Sequence, residues 1–336
     1  MGIHVWVLAG AAALSAAPLS AAEGVAPLQV EIEEWATPRP ATGRTHPHDP
    51  AVAPDGAAWY TGQQSNVLGR VDPKTGTIKE YPLPTPDSGA HGLVADKDGN
   101  IWYTGNSAAL IGKLDPKTGK VMEYKMPDPK ARDPHTPIFD KNGVLWFTVQ
   151  GGNFVGRLDP KTGEIKLKEA PTPRSRPYGI VMDSRGMMFF DEFGTNKIGR
   201  IDPATFEIKE YTLPDPAARP RRIALTADDV VWYTDYGRGY LGRLDPKTGE
   251  VKEFRSPGGP ESKPYGIAVD PNGIIWYSES GVEPNTLVRF DPKTGAMRSR
   301  TIPGGGGVVR NMAMAPDGTL WLAESGVDKI ARVRTR

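Results

Sequence analysis

The chain has 336 residues, with 41 Lys and Arg against 40 Asp and Glu, 39 Gly, 33 Pro and no Cys. The near-zero charge excludes a nucleic-acid binder driven by counterion release, and the missing Cys excludes disulfides, thiolate nucleophiles and Cys-ligated zinc. So many helix breakers, beside 38% hydrophobic residues and eight Trp, predict a folded chain poor in helix.

In chain order, residues 5–19 form an uncharged apolar run too short to span a bilayer, followed by Ser20-Ala21-Ala22 and Glu23. This pattern predicts an export signal over 1–22, a single domain over 23–336, and a periplasmic or secreted protein without a membrane span after cleavage. From residue 56 onward a repeat takes over. Turn glycines or their equivalents at Gly56, Gly99, Gly143, Gly186, Asp229, Gly273 and Gly318 recur every 43–45 residues. Three residues beyond each comes a large aromatic: Trp59, Trp102, Trp146, Phe189, Trp232, Trp276 and Trp321. A second turn, Asp-Pro-Lys-Thr-Gly, stands at 72–76, 115–119, 159–163, 245–249 and 291–295, and in degenerate form at 202–206. Pro presets the first central φ of a type I turn and Gly takes the left-handed position.

Short alternating or apolar runs between these turns give four strands per repeat, A to D, with tight A–B and C–D hairpins. The predicted fold is all-β, a seven-bladed β-propeller of four-stranded antiparallel blades. The last repeat has no fourth strand, and Val30–Trp35 at the start of the mature chain supplies one, closing the ring. The recurrent aromatics read as core between blades.

The uniform turns read as scaffold, and the variable D-to-A connections as the functional face. The residue eight before each turn glycine, at the start of strand A, gives the series His48, His91, His135, Tyr178, Arg221, Tyr265 and Arg310. With His46, these hold every His of the mature chain, at the mouth of a central funnel. At the end of strand B, Glu192, Asp235, Glu279 and Glu324 place carboxylates in blades 4–7. These are expected at the same mouth, as substrate-binding groups or paired in a salt-bridge ring with Arg176, Arg219, Arg221, Arg222 and Arg310. Two chemical readings stand open: a His base with Arg or a metal as electrophile, and a transition-metal site at His46, His48, His91 and His135. The glycine run Gly304–Gly307 lacks the partners of a phosphate loop, and the longer loop Ser280–Thr286 is a candidate lid.

The elements Pro-Tyr-Gly-Ile (177–180, 264–267), Asp-Gly-Asn-Ile-Trp-Tyr-Thr (98–104), Asn-Lys-Ile-Gly-Arg-Ile (196–201) and Ile-Lys-Glu-Tyr-x-Leu-Pro (78–84, 208–214) extend over nearly all of the mature chain. In these the sequence resembles the virginiamycin B lyase (streptogramin B lyase) family. The resemblance implies a seven-bladed propeller that linearises a cyclic depsipeptide antibiotic by Mg²⁺-assisted elimination. A funnel His removes a proton beside the ester and carboxylates hold the metal. The family's Pro-His, Glu-Pro-His and Glu positions fall, in linear register, on Tyr265, Val308, Arg310 and Ser325, which differ in residue type. In a rotated register, His91, Asp133-Pro134-His135 and Gln150 resemble the motif. By that resemblance His91, His135 and Asp133 are the catalytic set, Asp133 and Gln150 the Mg²⁺ ligands, and the partner a small molecule or cyclic peptide bound by a monomer. A non-catalytic binding propeller and a metal-dependent lactonase-type hydrolase are the alternatives.

Overall fold

A computed structural model describes residues 25–41 and 43–335; the expected export signal lies outside them. Seven sheets follow one another; six are built on four consecutive strands, and the seventh takes its fourth strand from the start of the chain. Strand A of the successive blades spans Pro47–Val52, Ala90–Ala95, Pro134–Phe139, Pro177–Met182, Pro220–Leu225, Pro264–Val269 and Val309–Met314. In blade 7, strand D is Val30–Ala36, antiparallel to Lys329–Thr335 over seven residue pairs. The expected closure is therefore observed. One strand was not foreseen: Ala26–Pro27 adds in parallel to the outer strand Met297–Thr301 of blade 6. Among the described residues no helix is long and apolar enough to cross a membrane.

The turn residues do what their chemistry dictates. Gly76, Gly119, Gly163, Gly249 and Gly295 all have left-handed φ between 72° and 78°. The degenerate fifth position, Phe206, accepts the same conformation, with its ring against Trp146 and under the Arg157 guanidinium. Between blades lies the aromatic core. Trp59, Trp102, Trp146, Phe189 and Trp321 are fully buried. Strand D aromatics pack on them, as in Trp102–Tyr124 and Trp35–Trp321, with ring centroids 5.9 and 5.8 Å apart.

Near the axis, polar stitches join the blades. The strand B hydroxyls of Thr61, Thr104, Thr234 and Ser278 donate to the carbonyls of His91, His135, Tyr265 and Val309 in the next blade, at 2.7–2.8 Å. Thr61 and Thr104 also accept from a backbone N–H of their own strand A. Blade 4 has Asp191 at this place, accepting from Gly179 N–H at 2.6 Å. Burial pushes its pKa up to about 8. Its Oδ2 is buried without a hydrogen-bond partner, so the stitch to the next blade that Thr makes elsewhere is missing here.

Candidate functional site

The axial residues owe their position to a repeated irregularity. In every blade the A–B register shifts just after the first residue of strand A, as between Pro47 and Pro50 or Pro134 and Pro137. A bulge leaves its residues out of the ladder and re-aims their side chains. Two stacked tiers result. The upper tier is the series His48, His91, His135, Tyr178, Arg221, Tyr265 and Arg310. The lower tier comes from the next residue of each strand and includes Asp49, Thr136 and Arg222.

The structure brings the upper tier together. Successive ring centroids lie 3.6 Å apart for His48–His91, 3.9 Å for His91–His135 and 3.7 Å for His135–Tyr178. The Tyr178 and Tyr265 hydroxyls hydrogen-bond to each other across the axis. The Arg221 guanidinium lies over Tyr265 and Tyr236 at 4.0 and 4.2 Å and over Phe193 at 4.6 Å. His46 sits beside the arc, half-buried, 6.4 Å from His48.

The lower tier is an ion-pair hub. Arg222, buried, donates to Asp49 Oδ1 at 2.8 Å, to Thr136 Oγ1 at 2.9 Å and to the Arg310 carbonyl at 3.2 Å. One side chain thereby ties blade 5 to blades 1, 3 and 7. Asp49 Oδ1 also meets His48 Nδ1 at 2.9 Å. Arg222, expected as a partner of the strand B carboxylates, is paired instead with Asp49, a residue outside the axial series of the sequence. The adjacent identical residues Arg221-Arg222 give no sign of which points up and which down until the bulge is known.

Burial holds His48, His91 and His135 well below the ordinary imidazole range, helped next by Arg310 at His48, by His48 at His91 and by His91 at His135. His46 is lowered to about 4, by burial first and Arg310 and Arg44 next. All four are neutral at physiological pH. His91 Nδ1, His135 Nε2 and His46 Nδ1 are buried without a hydrogen-bond partner, while His135 Nδ1 is held by Thr136 Oγ1 at 2.9 Å. A neutral imidazole with one anchored and one free nitrogen has the form a general base needs.

The carboxylates of blades 4–7 are elsewhere. Glu192, Asp235, Glu279 and Glu324 are at most 1% exposed, and both carboxyl oxygens of Glu324 are buried without a hydrogen-bond partner. Asp235 pairs with Arg238 at 2.9 Å, an arginine outside the five expected for the ring. Glu279 accepts from Ser256 Oγ and Gly258 N–H, both at 2.6 Å, and from Thr286. The contacts of Asp235 and Glu279 are thus with these groups and not with the axial tier. Burial, with a neighbouring Glu beside each, pushes Glu192 and Glu324 up to about 8. A raised carboxyl stabilises the fold when protonated and loses that contribution as pH rises from the ordinary value towards 8. Glu324→Gln is thus expected to match the parent near pH 5 and to exceed it near pH 9 by roughly 1–3 kcal/mol. Urea denaturation at the two pH values measures this.

Asp133 and Gln150 do meet, Gln150 Nε2 donating to Asp133 Oδ2 at 2.8 Å. The Gln150 carbonyl oxygen, which a metal would need, accepts from Arg176 at 2.7 Å. Mg²⁺ requires a near-octahedral set of oxygens, and one carboxylate beside a guanidinium does not supply it. As arranged, this pair does not fit Mg²⁺. A softer donor set lies at the axis, where ligand atoms of His48, Asp49 and His91 fall within 4.8 Å of one another. Its imidazoles suit a borderline transition metal, although Arg222 competes for Asp49. The loop expected as a lid is pinned: Asn285 N–H donates to the Gly305 carbonyl at 3.0 Å and its Oδ1 accepts from Val308 N–H at 2.6 Å. Phe193 and Tyr236, which flank Arg221, complete the mouth.

The sequence matches the model of the virginiamycin B lyase family over residues 22–257. The chain belongs to the virginiamycin B lyase family. Its fold is similar to a streptogramin B lyase structure, with TM-score 0.82 and 29% identity, covering 92% of this chain and 98% of that one. It is also similar to virginiamycin B lyase from Staphylococcus aureus, with TM-score 0.80, 29% identity and coverage of 91% and 99%. A catalytically inactive variant of that enzyme with quinupristin aligns with TM-score 0.81 at 29% identity, covering 91% and 99%. No curated protein matches the chain. This virginiamycin B lyase family member keeps the propeller of the structures it is similar to.

Proposed function

We propose that the protein binds a cyclic ester or depsipeptide at the funnel mouth and opens it by elimination, with His135 as the base and His91 beside it. The observation that carries this reading is the neutral, unpartnered Nε2 of His135, its ring fixed through Nδ1 by Thr136. Family membership supplies the reaction class. In the step proposed, imidazole takes a proton from carbon, a carbon–carbon double bond forms, the ester C–O bond breaks, and its electron pair departs with the carboxylate. No step is routed through Mg²⁺, because Asp133 and Gln150 do not fit it.

His135→Gln is expected to lower kcat on quinupristin or a related cyclic depsipeptide by about 10²–10⁴-fold, the usual size of a general-base contribution. Its melting temperature is expected to stay close to the parent's. Unchanged turnover in this variant would remove His135 from the role. A second reading, ligand binding without turnover, is favoured by one observation: His135 is only 1% exposed. Saturable binding of the cyclic peptide with no product from the parent protein selects it. Export is proposed on the uncharged run 5–19 and Ser20-Ala21-Ala22; N-terminal sequencing of protein recovered from outside the cytoplasm tests the cut.

A further inference from the structure

The axis carries more positive charge than it balances. Arg221, Arg222 and Arg310 all act on the His48 imidazole. Asp49 is the carboxylate in their midst, and it is already bonded to Arg222 at 2.8 Å. Asp191, also near Arg222 and Arg221, is raised to about 8 by burial and contributes little negative charge at neutral pH. Asp328 is paired with Arg44, and Asp235 with Arg238. Among the described residues neither Arg221 nor Arg310 has a carboxylate partner within ion-pair distance, and the Nε of each is buried without a hydrogen bond.

Arg221 gains cation–π attraction from Tyr265, Tyr236 and Phe193, which covers the faces of the guanidinium. Stacking covers its faces and not its edge, where one N–H lies beside the Tyr178 hydroxyl and Nε has no partner; edge N–H groups are the donors that match an oxyanion. Half-buried guanidiniums without counter-charge are costly unless a ligand supplies one.

We propose that the funnel mouth is an oxyanion-binding site in which Arg221 and Arg310 receive a carboxylate carried by the ligand or released as the ester opens. The aromatic rings beside Arg221 favour a carboxylate attached to an aromatic or apolar body. The inference rests on the funnel being the ligand site, and it gives that site a charge preference.

The test is calorimetric titration of the whole mature protein with benzoate, with inorganic phosphate and with neutral benzamide. Benzoate is expected to bind saturably, to weaken with added salt and to raise the melting temperature, whereas benzamide binds at least tenfold more weakly. Arg310→Gln and Arg221→Gln are each expected to weaken benzoate about tenfold or more, the loss of one charge-assisted contact. Arg310→Lys keeps the charge and is expected to retain part of the affinity; it serves if a Gln variant fails to fold. Binding of phosphate without benzoate overturns the carboxylate assignment. Equal binding of benzamide and benzoate, no saturable binding of either anion, or full affinity in folded Arg310→Gln overturns the proposal. These isotherms need no ester cleavage, so their failure is separable from failure of the lyase reading.

Discussion

Removing the chain up to Ala36 is expected to abolish cooperative folding. The strand Val30–Ala36 is the fourth strand of blade 7, paired along its whole length with Lys329–Thr335. Val30 and Leu28 are buried in the cluster that holds Trp276, Leu287 and Leu322. Trp35 stacks on Trp321, and Glu34 pairs with Lys329 at 2.8 Å. Without this strand a long inner strand becomes an open edge, and the contact that joins blade 7 to the start of the chain is gone. A blade cannot bury its faces alone, so the loss propagates around the ring. The expected loss is on the order of the whole stability of such a domain, about 5–15 kcal/mol. Urea denaturation followed by tryptophan fluorescence measures it. A sharp transition near the parent midpoint would contradict the closure argument.

Arg222→Met is the second large effect expected. The substitution leaves Asp49 buried without its cation and leaves Thr136 Oγ1 and the Arg310 carbonyl without their donor. Removing one partner of a buried pair costs about 3–5 kcal/mol, because the other charge stays desolvated. Adding Asp49→Asn to Arg222→Met is expected to recover a large part of that loss, since the buried charge is then gone. A double-mutant cycle in chemical denaturation reads both numbers. Additive losses would mean that the two residues do not act as one unit. The same hub positions Thr136, which holds the His135 ring, so Arg222→Met is also expected to reduce any turnover beyond its effect on folding.

The fold was legible because its signals are local. Gly76, Gly119 and their equivalents occupy turns that demand a left-handed residue, and Trp59, Trp102 and Trp146 mark one buried position per blade. The ring of His48, His91, His135 and Tyr178 was found by counting back from the turn glycine. What the count could not reveal is the bulge at the start of strand A, which makes two consecutive residues axial. That hid Asp49 and the separate roles of Arg221 and Arg222. Glu279 and Glu324 do stand at the end of strand B as counted, but the count carries no sign of their burial or of the Ser256, Gly258 and Thr286 contacts that engage Glu279. Ala26–Pro27 was missed because a two-residue parallel strand has no periodicity to detect.

The most direct test of the central claim is the product mass after incubating the purified protein with quinupristin in water enriched in heavy oxygen. Elimination predicts a ring-opened product with the mass of the substrate, no heavy oxygen, and a new carbon–carbon double bond. A product heavier by one labelled water, or an untouched substrate at high protein concentration, would contradict it.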